Sequence, residues 1–164
     1  MIKFNCRDIL ESDWPTILRI QSEVYYAFTP ESETVMRSKA TQGTHTSFVA
    51  VDQEFCIIAY CLAHPYPPHR VAALGSTDSS GYESTDNLYL HDLAVQKASA
   101  GCGVARTMFD HLTSVAQSMG YRTMSLVAVQ QAAGFWSRMG FTPCQHATIN
   151  NSYNGVATFM SRHL

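Results

Sequence analysis

The densest grouping of residues that can do chemistry is the run Leu88-Tyr89-Leu90-His91-Asp92-Leu93-Ala94-Val95, followed after five residues by Gly101-Cys102-Gly103-Val104-Ala105. A strand, a glycine turn and a helix N-terminus in succession aim several backbone N–H groups one way at the positive end of a helix dipole, which suits a phosphate or pyrophosphate. The spacing is not that of a P-loop, which needs Gly-Lys-Ser/Thr after its second glycine. Nor is it a dinucleotide fingerprint, which needs Gly or Ala where Arg106 stands. The alternative is a turn that only requires small residues. Within the strand run His91 is the residue suited to proton transfer, because an imidazole ordinarily titrates at ~6.5; the competing reading is a structural histidine bonded to a backbone carbonyl. Alternation in a strand puts Tyr89, His91 and Leu93 on one face and Leu90, Asp92 and Ala94 on the other. Asp92 then either orients a neighbour or closes a structural pair. Cys102 is a reactive thiol at a helix N-terminus or simply a small turn residue.

These residues need a scaffold, and periodicity supplies it. Ile2, Phe4 and Cys6 alternate as a first strand. Ser12 or Asp13 caps a helix with Pro15 in its first turn and Ile17, Leu18, Ile20, Val24 and Tyr25 at helical spacing. A second short helix follows Thr29-Pro30. Residues 47–51 and 55–63 read as a hairpin joined at Asp52-Gln53, and 64–86, with three prolines and two glycines, as a long loop of the kind that is often functional. A strand over 88–95 is followed by a helix from about Cys102 to Met119, with Val104, Met108, Leu112, Val115 and Met119 on one face and Gly120 as its stop. A strand over 124–129, a short helix over 131–139 and strands around 141–149 and 155–162 complete the order. The expected class is α+β, one domain spanning residues 1–164.

The chain has 164 residues, a size that fits one domain, and its charged fraction of 15% lies below the usual ~25%. Eleven Lys and Arg against thirteen Asp and Glu give a net charge of −2, so no cationic field gathers nucleic acid or anionic lipid. Five cysteines without a Cys-x-x-Cys pair argue against a disulfide framework or structural zinc. The charged N-terminal segment lacks the apolar core of a secretory signal, and the longest apolar run, 55–63, is too short to span a bilayer. The expectation is a cytoplasmic protein with no membrane or nucleic-acid partner and no resident metal; a metal held by His64, His69 and His91 is the competing use of the histidines.

Ala100, Gly103 and Ala105 occupy the positions of a Gln/Arg-x-x-Gly-x-Gly/Ala signature at a strand-to-helix turn, and Phe135-Trp136-Ser137-Arg138-Met139-Gly140-Phe141 matches an aromatic pair followed by Gly-Phe. In this order and separation the two motifs resemble the GNAT superfamily of acetyl-CoA-dependent N-acetyltransferases, and the element order resembles that layout over nearly the whole chain. The resemblance implies a GNAT-like mixed, mainly antiparallel sheet of about seven strands flanked by about four helices. Tyr89 and His91 before Leu93-Ala94-Val95 are most similar to the arylalkylamine (serotonin) N-acetyltransferase type. The chain departs from the family at Ala100, where Gln or Arg would contact phosphate, and at Trp136, where a tyrosine commonly returns a proton to the leaving thiolate.

The resemblance implies transfer of acetyl from acetyl-CoA to a small primary amine or arylalkylamine by direct attack in a ternary complex. An alkylamine with a pKa near ~10.4 is almost wholly protonated at neutral pH, so a base must act. The resemblance gives that role to His91. With Trp136 in the place of the family's tyrosine, either another group protonates the thiolate or it leaves unassisted; Tyr89 and Tyr153 are candidates for that group, or else packing or substrate-lining tyrosines. Leu93, Ala94 and Val95 would pair with pantetheine. Amides of Ala100, Gly101, Cys102, Gly103, Val104 and Ala105 would hold the pyrophosphate, with Phe135 and Trp136 beside the pantetheine arm. Tyr25, Tyr26 and Phe28, with Tyr66, His64 and His69, line an amine pocket or else pack the core. The carboxylates Glu31, Glu33, Asp78, Glu83 and Asp86 attract a polyamine or form a solvated face. The alternative function is a non-catalytic acyl-CoA-binding module on the same fold, and a homodimer is left open.

Overall fold

Strand β1 (Phe4–Asp8) leads into a 3-10 turn at Glu11–Asp13 and helix α1 (Trp14–Val24). The Asp13 side chain does not cap α1. It binds Arg7 at 2.6 Å and accepts from the Leu10 amide at 2.7 Å, tying the start of α1 to β1. Helix α2 (Glu33–Gln42) is capped by Ser32, which accepts from the Val35 amide. Strands β2 (Phe48–Asp52) and β3 (Ile57–Pro65) form the expected hairpin. Its turn dispenses with glycine because Asp52 Oδ1 accepts from the amides of Glu54 and Cys56 while Phe55 takes a left-handed φ of 62°. Strand β4 (Asn87–Val95), helix α3 (Val104–Ser118), strand β5 (Thr123–Ala128), helix α4 (Ala133–Arg138) and strands β6 (Thr142–Pro143) and β7 (Thr158–His163) follow. This computed structural model describes residues 2–77, 81–145, 148–153 and 157–164. The expected strands over 141–149 and 155–162 are shorter than predicted, and parts of both ranges lie outside the described residues.

The seven strands make one sheet in the order β1-β2-β3-β4-β5-β7-β6. All neighbours are antiparallel except β4 and β5. Helix α3 covers one face through Val104, Met108, Phe109 and Leu112, which pack with Leu88, Leu90 and Met124. Trp14, Ile17 and Ile20 of α1 and Met36 of α2 cover the other, against Val49, Tyr60, Leu62 and Ala94. Burying an apolar side chain of this size is worth about 1.5–3 kcal/mol, so two such layers hold β4 rigidly between them. Among the described residues no helix is long and apolar enough to cross a membrane.

Candidate active site

Strands β4 and β5 pair only over Asn87–Tyr89 and Thr123–Ser125, after which they separate. Strand β4 stays with β3 as far as Val95, while β5 stays with β7 as far as Ala128. The β5-facing edge of β4 beyond Tyr89 is therefore left without a strand partner, and a cavity of about 290 Å³ opens in the gap. Leu90 to Val95 form one wall, Leu126 and Val127 the other, and Tyr25, Phe28, Glu31 and Tyr153 close it above the strands.

The pairing of β3 with β4 slips one residue at His91: Leu62 pairs with Asp92 and Ala63 with Leu90. This bulge corrects the strict alternation expected from the sequence, because it adds one residue to one strand. Leu90 and Leu93 both pack toward α3, and the two residues between them, His91 and Asp92, bond to partners on or next to α1. His91 Nε2 lies 2.6 Å from Glu31 Oε1, and their side chains are only 1% and 6% exposed. Glu31 sits in the loop between α1 and α2 and is held from three sides. Its Oε2 accepts from the Gly75 amide at 2.7 Å, its own amide donates to Gln21 Oε1 at 2.7 Å, and its carbonyl accepts from Gln21 Nε2 at 3.0 Å. Burial pushes the Glu31 carboxyl up, but the charge and hydrogen bond of His91, the Gly75 amide and the Lys39 charge bring it below its ordinary value. A buried, ionised carboxylate fixes the orientation and tautomer of the imidazole, as in catalytic triads.

Asp92 accepts from the hydroxyls of Tyr25 and Tyr60, the latter at 2.5 Å. Burial pushes its carboxyl up to about 6 against the pull of those two bonds. Asp92 thereby orients Tyr25, which lines the cavity, and ties β4 to β3 through Tyr60. Tyr25 reaches it because the chain leaves α1 at this residue in an extended conformation, and its ring stacks on Phe28 at 5.2 Å.

On the other side of the cavity mouth a 3-10 turn at Lys97–Ser99 brings the chain to Ala100 and the glycine turn. Gly101 and Gly103 have φ of 73° and 83°, a left-handed conformation that glycine adopts without penalty. A Cβ at either would meet nothing within 4 Å, so backbone conformation rather than crowding requires glycine in the chain itself. The first backbone bond from α3 into the turn is Thr107 N–H to the Gly103 carbonyl at 3.1 Å. The amides before it are those that a helix leaves without an acceptor. Ala105, Phe135 and Trp136 line the cavity between this turn and β4. Trp136 also packs edge-on against Phe109, Phe135 and Phe141, so its indole is part of the core as well as of the wall.

Several expected residues lie elsewhere. Tyr26 is 82% exposed and does not line the cavity, since Gln130 Oε1 accepts from its amide at 2.9 Å and the side chain points outward. Tyr89 is fully buried behind Tyr153, its hydroxyl 3.3 Å from that of Tyr153, which does line the cavity. Tyr66 is buried with Tyr89 and Phe159, His64 lies within β3 rather than in the loop, and His69 is exposed. Among the described residues no three of His, Cys, Asp and Glu gather as a metal site, so the His64, His69 and His91 grouping does not form. Glu31 is no solvated carboxylate; Glu33 is, on the surface with Arg37; Asp78 lies outside the described residues. Nothing in the sequence marks Gln21 or Gln130 as site residues, and Glu31 stands out there only as one of five carboxylates suited to a polyamine or a solvated face, not as the partner of His91. Glu31 is 60 positions from His91 and no local spacing marks it.

A family model described as the acetyltransferase (GNAT) family matches residues 6–141. No curated protein matches the chain. Among solved structures, Ard1 from Thermoplasma volcanium superposes with a TM-score of 0.72 at 14% identity, covering 98% of this chain and 97% of its own. The ribosomal-protein-S18-alanine N-acetyltransferase from Escherichia coli gives 0.68 at 16% identity, covering 98% and 94%. A phosphinothricin acetyltransferase from Sinorhizobium meliloti, in complex with AcCoA, gives 0.69 at 20% identity, covering 98% and 88%. At such identities these likenesses establish the fold. With the family match over most of its length, the separated β4 and β5 and the glycine turn at α3, the chain belongs to the acetyltransferase (GNAT) family.

Proposed function

We propose that the protein transfers acetyl from acetyl-CoA to a small primary amine by direct attack in a ternary complex, with His91 as general base. The observation that carries this is the His91–Glu31 pair on the wall of the cavity between β4 and β5. A buried imidazole oriented by an ionised carboxylate is built for accepting a proton, and a non-catalytic acyl-CoA-binding module has no use for it.

The unpartnered edge of Leu93, Ala94 and Val95 pairs with the pantetheine amides, and the amides of the Ala100–Ala105 turn receive the pyrophosphate. The S. meliloti neighbour, solved in complex with AcCoA, supports that co-substrate. The acceptor occupies the end of the cavity bounded by Tyr25, Phe28, Glu31 and Tyr153, whose mixture of rings and one carboxylate suits a compact amine with an apolar body. The arylalkylamine subtype rests on the motif around His91 alone. In the transfer step the amine loses its proton toward His91 and its nitrogen bonds to the thioester carbonyl carbon. The carbon–sulfur bond then breaks, the sulfur leaving with the electron pair and taking a proton, while the nitrogen gives up its second proton to the group that supplied the sulfur's. Tyr153, on the wall, is better placed than Tyr89 to supply it, although burial pushes its hydroxyl up to about 12. Turnover of a panel of primary amines with acetyl-CoA, followed by thiol release, tests the reading. Amine-dependent release supports it; CoA binding without turnover of any amine makes the protein a binding module.

A further inference from the structure

Two buried imidazole nitrogens have no hydrogen-bond partner among the described residues: His91 Nδ1, on the residue that borders the cavity, and His64 Nε2. Their rings are 6.0 Å apart, centroid to centroid, and His64 is fully buried on β3. The partners on the opposite nitrogens fix both tautomers. Glu31 Oε1, a carboxylate, accepts from His91 Nε2, so Nε2 carries the hydrogen and Nδ1 the lone pair. The Pro65 carbonyl accepts from His64 Nδ1 at 3.1 Å, so His64 Nε2 also carries a lone pair. Rings 6.0 Å apart hold the two nitrogens beyond direct hydrogen-bond range, and one water between them can donate to both lone pairs while His91 is neutral. Once His91 is protonated on Nδ1, that N–H donates to the water, which continues to donate to His64 Nε2, so the chain from His91 to His64 is complete with each bond at ~2.9 Å.

We propose that His64 is a positioning residue, whose Nε2 lone pair receives, through one water, the N–H that His91 gains on Nδ1 when it takes the acceptor's proton. The inference rests on the reading of His91 as the base. The acceptor ammonium loses one proton and becomes the attacking amine. His91 gains that proton on Nδ1 and becomes imidazolium, keeping its Nε2–H on Glu31. His64 gains nothing, since it keeps its one proton on Nδ1 toward Pro65 and lends only a lone pair. Burial and the His91 charge push the His64 imidazole down to about 3, so it stays neutral and does not compete for the proton. The other groups around His91 are Glu31 from the α1–α2 loop and Tyr89 and Asp92 from β4, with the Lys39 charge of α2 acting on Glu31 and His64. Of these only the Glu31 carboxylate bonds His91, and it does so at the other nitrogen.

The test is a nitrogen-15 NMR titration of the imidazoles in the parent protein and in His64→Gln, His64→Asn and His64→Leu. In the parent, His64 keeps its hydrogen on Nδ1 throughout and His91 gains its second hydrogen on Nδ1 as the pH falls. The His91 midpoint drops by about one pH unit in His64→Leu and His64→Asn, the loss of one hydrogen bond to a charged donor. It recovers in His64→Gln, whose side-chain oxygen reaches the position of Nε2. A His64 hydrogen on Nε2 in the parent, or an unchanged His91 midpoint in a folded His64→Leu variant, overturns the proposal. The parent tautomers decide the matter even where a variant does not fold. The titration also reads the pair without turnover, so failure of His64 and failure of His91 as base are separate results.

Discussion

His91 Nε2 and Glu31 Oε1 lie 2.6 Å apart, joining the bulge of β4 to the loop that follows α1 across 60 residues of sequence. The contact couples the strand that lines the cavity to the segment that closes it. Glu31 is itself clamped by Gln21 and Gly75, so the loop holds the carboxylate in place before any substrate arrives. A group held in this way loses little on reaching its working geometry.

Glu31→Gln should lower kcat by roughly tenfold to a hundredfold, less than loss of the base itself. The uncharged amide also stabilises the His91 imidazolium less than the carboxylate does. The base must be neutral to act, so the acid limb of the pH–rate profile moves to lower pH in the variant. A pH–rate profile of parent and variant checks both effects, and an unmoved limb with full kcat removes Glu31 from the mechanism.

The Asp92 carboxyl gives a stability signature of the opposite sign to that of Glu31. Its folded value of about 6 exceeds the ordinary 3.8, so the folded state holds the proton longer than the unfolded chain. Stability from this group is therefore present below pH ~4 and lost as the pH rises to ~6. Glu31, held below its ordinary 4.5, contributes stability above that pH which is lost in stronger acid. Urea unfolding across this window should show the parent losing on the order of 2–3 kcal/mol relative to Asp92→Asn as the pH rises from ~4 to ~6. Parallel pH dependences for the two proteins would contradict this account of Asp92.

Gly103→Val forces a branched residue to φ 83° at the start of α3. The cost is on the order of 1–2 kcal/mol of stability, although the space around the Cβ is open in the protein alone. Because the same backbone would aim the turn amides at the pyrophosphate, CoA affinity should fall with it. Thermal unfolding and a CoA titration measure the two, and unchanged CoA affinity in the variant would take the turn out of the binding site.

Local patterns made most of the architecture legible. The Leu88–Val95 strand, the turn through Gly101 and Gly103, the amphipathic helix after it and the Phe135-Trp136 helix each carry their own periodicity or backbone demand, and they form within a few residues of where the sequence places them. The boundaries moved where side chains replace the expected device, as with Asp52 closing the β2–β3 turn without glycine. The candidate site was only half legible. His91 stands in a recognisable strand, but the bulge that sends Leu93 to the face of Leu90 depends on register with β3, and alternation within one strand carries no record of it. Glu31 looked like any loop carboxylate because its burial comes from Gln21, Gly75 and His91, all distant in sequence. Tyr26 failed as a pocket residue for a similar reason, since Gln130 fixes its backbone and turns its ring to solvent.

The most direct test of the central claim is thiol release from acetyl-CoA with primary amines, measured for the parent and His91→Ala alongside CoA binding. The parent should release thiol only when an amine is present. His91→Ala should bind CoA normally and be slower by roughly 10²–10⁴-fold at neutral pH, with the gap narrowing above pH ~8 as more of the amine is already neutral. Equal rates for the two proteins at every pH, or CoA binding by the parent with no amine turned over, would contradict it.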